Sequence, residues 1–155
     1  MVSTQFGALL KEMEQFFHCS LEPDQNDSCL IKMGTGISIQ IELDRYGYLL
    51  IGCKIGLLPM SRYRDNLIQQ ALKSNAVSMP SSGTFGFSQK TNQLVLFMRL
   101  DPGSLSMHQI LQLLPSFATK AKKWTDAVAK GETPSVEEAE TPSNTPSGIF
   151  GLISK

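Results

Sequence analysis

Eight consecutive residues, 37–44, alternate apolar and polar without a break: Ile37, Ile39, Ile41 and Leu43 against Ser38, Gln40, Glu42 and Asp44. A period of two puts those sets on opposite faces of a β-strand. This stretch therefore cannot belong to an all-helical protein. Gly34-Thr35-Gly36 before it and Arg45-Tyr46-Gly47 after it are turn sequences, which make the strand the middle of a three-stranded meander. The first strand is read as Cys29–Met33 and the third as Tyr48–Ile55. The third is apolar at nearly every position, which predicts cover on both of its faces.

Helical periodicity brackets the meander. Phe6, Leu9, Leu10, Met13, Phe16 and Phe17 recur at helix spacing over residues 3–18, with Lys11, Glu12, Glu14 and Gln15 between them. Pro59 is placed to open a second helix over about residues 60–75, with Tyr63, Leu67, Ala71 and Ser74 as one stripe flanked by Ile68 and Leu72. A hairpin follows, Gly83–Ser88 and Gln93–Leu100 around Gln89-Lys90-Thr91-Asn92. Its second strand carries Val95 and Phe97 on the face opposite Leu94, Leu96 and Met98, which predicts a partner for that face. Ser106-Met107-His108-Gln109 fits a capping box for a last helix with the stripe Ile110, Leu114, Phe117, Ala121, Trp124 and Val128, stopped at Gly131. Pro115 lies inside it and predicts a kink or a division.

The order is α-β-β-β-α-β-β-α, an α+β domain over residues 1–130 with helices packed on an antiparallel sheet. Residues 131–155 turn to Pro, Ser, Thr and Glu, with four glutamates against Lys155, and are read as a disordered tail. Gly148-Ile149-Phe150-Gly151-Leu152-Ile153 is a short apolar block near its end.

Composition excludes several functions. Lys+Arg and Asp+Glu are 14 each, and no basic stripe appears, which argues against nucleic acid. Nothing resembles a signal peptide and no apolar run approaches a membrane span, so no membrane insertion and a reducing cytoplasm are expected. Cys19, Cys29 and Cys53 have no framework spacing. His18 and His108 are the only histidines, and neither they nor the carboxylate pairs Glu12/Glu14 and Asp24/Asp27 form a catalytic or zinc pattern. Ser81-Ser82-Gly83-Thr84-Phe85-Gly86 lacks the lysine and glycine spacing of a phosphate loop. No catalytic residue, cofactor or metal is expected.

What remains is apolar surface in excess: adjacent pairs Leu9-Leu10 and Phe16-Phe17, a sheet apolar on both faces, and seven methionines. Core packing is one account of it. A dimer contact together with grooves for an extended polypeptide is the other, and residue chemistry leaves the two open.

Leu57-Leu58-Pro59 with the helix ending Ala71-Leu72-Lys73-Ser74-Asn75, and Gly83-Thr84-Phe85-Gly86-Phe87 with Gln93–Leu100, form a pattern with the long last helix carrying Phe117 and Trp124. That pattern, over about residues 3–130, resembles the class I type III secretion chaperones of the Tir-chaperone-like group. The resemblance implies a bacterial cytoplasmic dimer that binds the N-terminal chaperone-binding segment of a secreted effector without ATP and keeps it soluble. A homodimer is the usual arrangement, and a heterodimer with another chaperone the other. Carried over by position, Phe6, Leu9, Leu10, Met13, Phe17, Leu30, Ile37, Ile39 and Ile41 would face the effector. Leu67, Ala71, Phe85, Val95 and Phe97 would form the dimer contact. The rival readings are a regulatory adaptor for a secretion or transcription component and a small ligand-binding or enzymatic domain.

Overall fold

The computed structural model describes residues 4–77 and 82–136. Their order is α1 (Thr4–Phe17), β1 (Ser28–Lys32), β2 (Ser38–Leu43), β3 (Leu49–Leu57), α2 (Arg62–Val77), β4 (Thr84–Ser88), β5 (Gln93–Leu100) and α3 (Met107–Lys130). The expected α-β-β-β-α-β-β-α succession is present. The strands form one antiparallel sheet in the order β1-β2-β3-β5-β4, so β5 returns between β3 and β4.

Register builds the core. Cys29 and Ile31 oppose Ile41 and Ile39, Ile41 opposes Ile51, and Ile51 opposes Met98; Cys53 opposes Leu96, which opposes Phe85. All of these are buried, so one sheet face is apolar from edge to edge. Helix α3 covers it with Ile110, Leu114, Phe117, Ala121 and Trp124. The helix starts where the capping box requires: the Ser106 hydroxyl accepts from the Gln109 N–H, and the Gln109 side chain accepts from the Ser106 N–H. It ends on Gly131 at φ 69°, the left-handed conformation that a glycine takes without strain. Gly56 sets how closely β3 approaches it, since a Cβ there would fall 2.7 Å from Val128 Cγ1. Helix α1 packs on α3 and adds Phe6, Leu10 and Met13 to the same core.

Three expectations are corrected. Pro115 does not divide the last helix, which runs unbroken from Met107 to Lys130. Pro115 lies on the exposed side of the helix, where its ring displaces no core packing. Helix α2 starts at Arg62 rather than just after Pro59, because the Ser61 hydroxyl accepts from the Arg64 N–H and caps it. Strand β3 is covered on one face only: Leu49, Ile51, Cys53 and Ile55 are buried, whereas Leu50 and Gly52 are half-buried and Lys54 is exposed. Two glycines made the run read as apolar throughout. A bulge between Lys54 and Gly56 then reverses the strand's parity.

Helix α2 lies against β4 and buries Leu67, Ala71 and Ser74. Its Asn75 side chain closes the sheet edge there. The amide oxygen accepts from the Phe85 N–H at 2.8 Å and the amide nitrogen donates to the Phe85 carbonyl at 3.0 Å, as a further strand would. After α3 the chain turns back along it. The Glu132 carbonyl accepts from the Tyr63 hydroxyl, Pro134 is buried and Val136 packs against the core. The rest of the stretch read as a tail, 137–155, lies outside the described residues.

Candidate binding surface

The strands that build the core also present a second face, set by the same alternation. It carries Leu30 from β1, Gln40 and Glu42 from β2, Leu50 and Gly52 from β3, and Val95 and Phe97 from β5. Across the strands, Leu30 opposes Gln40, Gln40 opposes Gly52, and Gly52 opposes Phe97. Leu30, on the edge strand, is 58% exposed and Phe97, on the inner strand β5, 41%, so both leave large apolar side chains open to a partner. Between them lies a cavity of about 610 Å³, lined by Leu30, Gln40, Leu50, Gly52, Val95 and Phe97 among others.

Two glycines shape this trough. At Gly52 the space above the backbone is empty, the nearest atom to an added Cβ being the Leu96 carbonyl oxygen at 3.9 Å. At Gly86 the Phe97 ring lies over the missing side chain, 3.1 Å from where a Cβ would stand. Phe97 thus lies down on β4 and walls the trough on that side. Exposed Lys32 and Lys54 and half-buried Glu42 give this face a mildly positive rim. Arg99 is held at its end, 3.1 Å from the Asp44 carboxylate and stacked 3.7 Å above the Tyr48 ring. Partial burial raises the pKa of Asp44. The N–H groups of Tyr48 and Tyr46 and the Arg99 guanidinium outweigh it and hold the carboxyl below its usual range.

The free edge of the sheet adjoins the trough. Met33 N–H donates to the Ile37 carbonyl and Leu43 N–H to the Asp27 carbonyl, so alternation turns the backbone groups of Ser28, Leu30 and Lys32 outward. Asp24 occupies those of Ser28: its carboxylate accepts from the Ser28 N–H and its own N–H donates to the Ser28 carbonyl. Beyond a long Cys29 Sγ contact of 4.0 Å to the Leu30 carbonyl, Leu30 and Lys32 present bare edge groups among the described residues.

The residues carried over by position divide sharply. Phe6, Leu10, Met13, Ile37, Ile39 and Ile41 are buried within the subunit and offer a partner no area; Leu9 and Phe17 are half-buried, and Leu30 is exposed. Of the expected dimer residues, Leu67, Ala71 and Phe85 are buried, while Val95 and Phe97 share the open face with Leu30. Leu50 and Gly52 were not singled out in the sequence, and exposed Phe16 and Leu72, although named in their helix patterns, were assigned to neither surface. Reading the opposite parity of β3 would have found the first two.

Among the described residues no group of three or more His, Cys, Asp and Glu is placed to hold a metal. Burial pushes the Cys29 and Cys53 thiols above their ordinary range, which makes them poor nucleophiles. No helix of the described residues is long and apolar enough to cross a membrane.

A five-stranded antiparallel sheet clothed by helices on one face, with an apolar trough on the other, defines a module suited to binding polypeptide. The sequence matches the model of the Tir chaperone protein (CesT) family over residues 8–125, and the chain belongs to that family. Its fold is similar to that of a chain in the complex of the Yersinia pestis type III secretion chaperone SycH with a stable fragment of YscM2, with a TM-score of 0.61, 15% identity, and 77% of this chain and 98% of that chain covered. A chain of the HopA1–SchA chaperone–effector complex gives a TM-score of 0.61 at 16% identity, covering 82% of this chain and 100% of that one. One from the ExoT–SpcS complex of Pseudomonas aeruginosa gives 0.60 at 15% identity, covering 79% and 98%. At these identities the likeness is one of fold. Among curated proteins the search found no match.

Proposed function

We propose that this protein is a type III secretion chaperone that holds the N-terminal chaperone-binding segment of a secreted effector in an extended, soluble state. The observation that carries the reading is the trough between Leu30 and Phe97, an apolar sheet face left bare in a member of this chaperone family. Effector side chains would fill the trough, and its backbone would pair with the bare groups of Leu30 and Lys32. Leu9, Phe16 and Phe17 leave further apolar area on the outer side of α1, on the helix-covered side of the sheet. Such binding draws on buried apolar area and main-chain hydrogen bonds, so it needs no nucleotide and no catalytic group.

A dimer belongs to the same proposal, formed through the outward side of α2. Burial of Leu67 and Ala71 leaves Leu72 exposed on that side, with Met60 just before the helix and Leu57 at the end of β3. Light scattering at micromolar concentration is expected to find the dimer, and Leu72→Asp to shift it towards monomer. A wild-type monomer would remove this part.

The binding test uses native cells carrying the chaperone and its secreted proteins. The wild-type chain is expected to co-purify with a secreted protein through that protein's N-terminal region, and folded Leu30→Asp and Gly52→Leu variants to lose it. Equal retention by all three would move the site elsewhere; no secreted protein in any of them would overturn the function.

A further inference from the structure

The trough raises a question about the idle protein, because Leu30 and Phe97 stay bare whenever no client is bound. The chain itself contains a candidate cover. Beyond Val136, residues 137–148 are polar or small, with Pro142 and Pro146, and they lead to Ile149-Phe150-Gly151-Leu152-Ile153, where four large apolar side chains surround one glycine. We propose that this block docks in the trough of its own chain as an internal stand-in for the client. The inference rests on the open face being the binding surface, and it adds a regulator to that site.

Reach permits it. Val136 packs against the core and Ser135 lies beside α3, where its carbonyl accepts from Lys123 Nζ. From Val136 to Ile149 an extended chain spans up to about 43 Å, against roughly 20 Å across a sheet of five strands. Charge agrees as well. Glu137, Glu138 and Glu140 precede the block, and the open face carries exposed Lys32 and Lys54 against Glu42. Side-chain alternation suits a shallow apolar slot: along an extended backbone Phe150 and Leu152 fall on one side, and Gly151 lies between Ile149 and Ile153 on the other. Tethering makes a weak contact sufficient. A short flexible linker holds its ligand at an effective concentration on the order of millimolar, so a block with a dissociation constant of about 100 µM would weaken client binding roughly tenfold.

The test keeps the full chain and uses anilinonaphthalene sulfonate, a dye that fluoresces on bare apolar surface. Phe150→Asp with Leu152→Asp is expected to raise dye fluorescence severalfold over wild type, and adding Gly52→Leu to remove the gain. If the double variant and wild type bind dye equally while Gly52→Leu lowers both, the trough stands and the stand-in falls. If Gly52→Leu changes nothing in any background, the open-face reading itself falls. A gain that survives Gly52→Leu places the block elsewhere and overturns the proposal. A wild-type signal per chain that falls as protein concentration rises assigns the cover to a second copy's tail, which overturns docking within one chain.

Discussion

Leu30 and Ile31 are neighbours in one strand, yet the first is 58% exposed and the second 4%. The contrast repeats across the sheet. Ile39, Ile51, Leu96 and Met98 lie under the helices, while Gln40, Leu50, Gly52, Val95 and Phe97 face outward beside them. One face was shaped for packing density and the other for vacancy, as the empty space over Gly52 shows. The two edges differ in the same sense. Asn75 seals β4 at Phe85, whereas β1 is sealed only at Ser28 and left bare beyond it. Binding capacity therefore sits where the fold stops covering itself, in the corner between the open face and the β1 edge.

Aspartate separates the faces most harshly. Ile39→Asp, like Leu10→Asp, places a carboxylate in a closed apolar core with no partner and is expected to remove about 4 kcal/mol or more. A domain of this size is stabilised by about 5–15 kcal/mol, so much of its stability goes. Leu30→Asp on the open face is expected to stay within about 1 kcal/mol of wild type and to lose client. Urea denaturation followed by circular dichroism separates them. A folded Ile39→Asp would make the covered face a surface, and an unfolded Leu30→Asp would make the open face core.

The edges are separated by their caps. Asn75→Ala strands two backbone groups of Phe85 in a part-buried place and is expected to cost about 2–4 kcal/mol. Asp24→Ala at the other edge removes a capping carboxylate that water can replace, at about 1 kcal/mol. Equal losses in the same denaturation experiment would mean that α2 does not seal its edge. Gly52→Leu sharpens the comparison in the opposite direction. A glycine inside a strand is worth about 0.5–1 kcal/mol less than alanine, and nothing stands in the way of a side chain there. The variant is expected to melt at or slightly above wild type while binding no client, a separation of stability from function that a core position cannot produce.

Much of this was legible in the residues. Strict alternation over 37–44 placed β2 and grouped its isoleucines on one face, and Ser106-Met107-His108-Gln109 placed the start of α3. Local patterns carry that kind of information because the period and the cap are local physics. The site was only half legible. Periodicity says which residues share a face but not which face the helices cover, so Ile37, Ile39 and Ile41 went to the client and proved to be core. Gly52 was hidden for another reason: a glycine counts as apolar in a pattern, while its contribution here is the absence of a side chain. Asn75 sealing β4 is a tertiary pairing across a loop, and no local rule marks an amide for it.

The smallest effect concerns the end of the open face, where Asp44 ties the β2–β3 turn to Arg99. Its carboxyl titrates below the ordinary range in the folded protein, so the folded state favours the ionised form. That contribution is complete above the unfolded value of about 4 and is lost as pH falls through the folded value. Stability of the wild type relative to Asp44→Asn should therefore be greatest at neutral pH and shrink on acidification. Denaturation of both proteins across that range reads the difference. The pair is exposed to water and salt, so the change should be small and should weaken in high salt. Were the gap to widen on acidification instead, Asp44 would not be holding the turn as a carboxylate, and the fixed position of Arg99 at the end of the trough would need another cause.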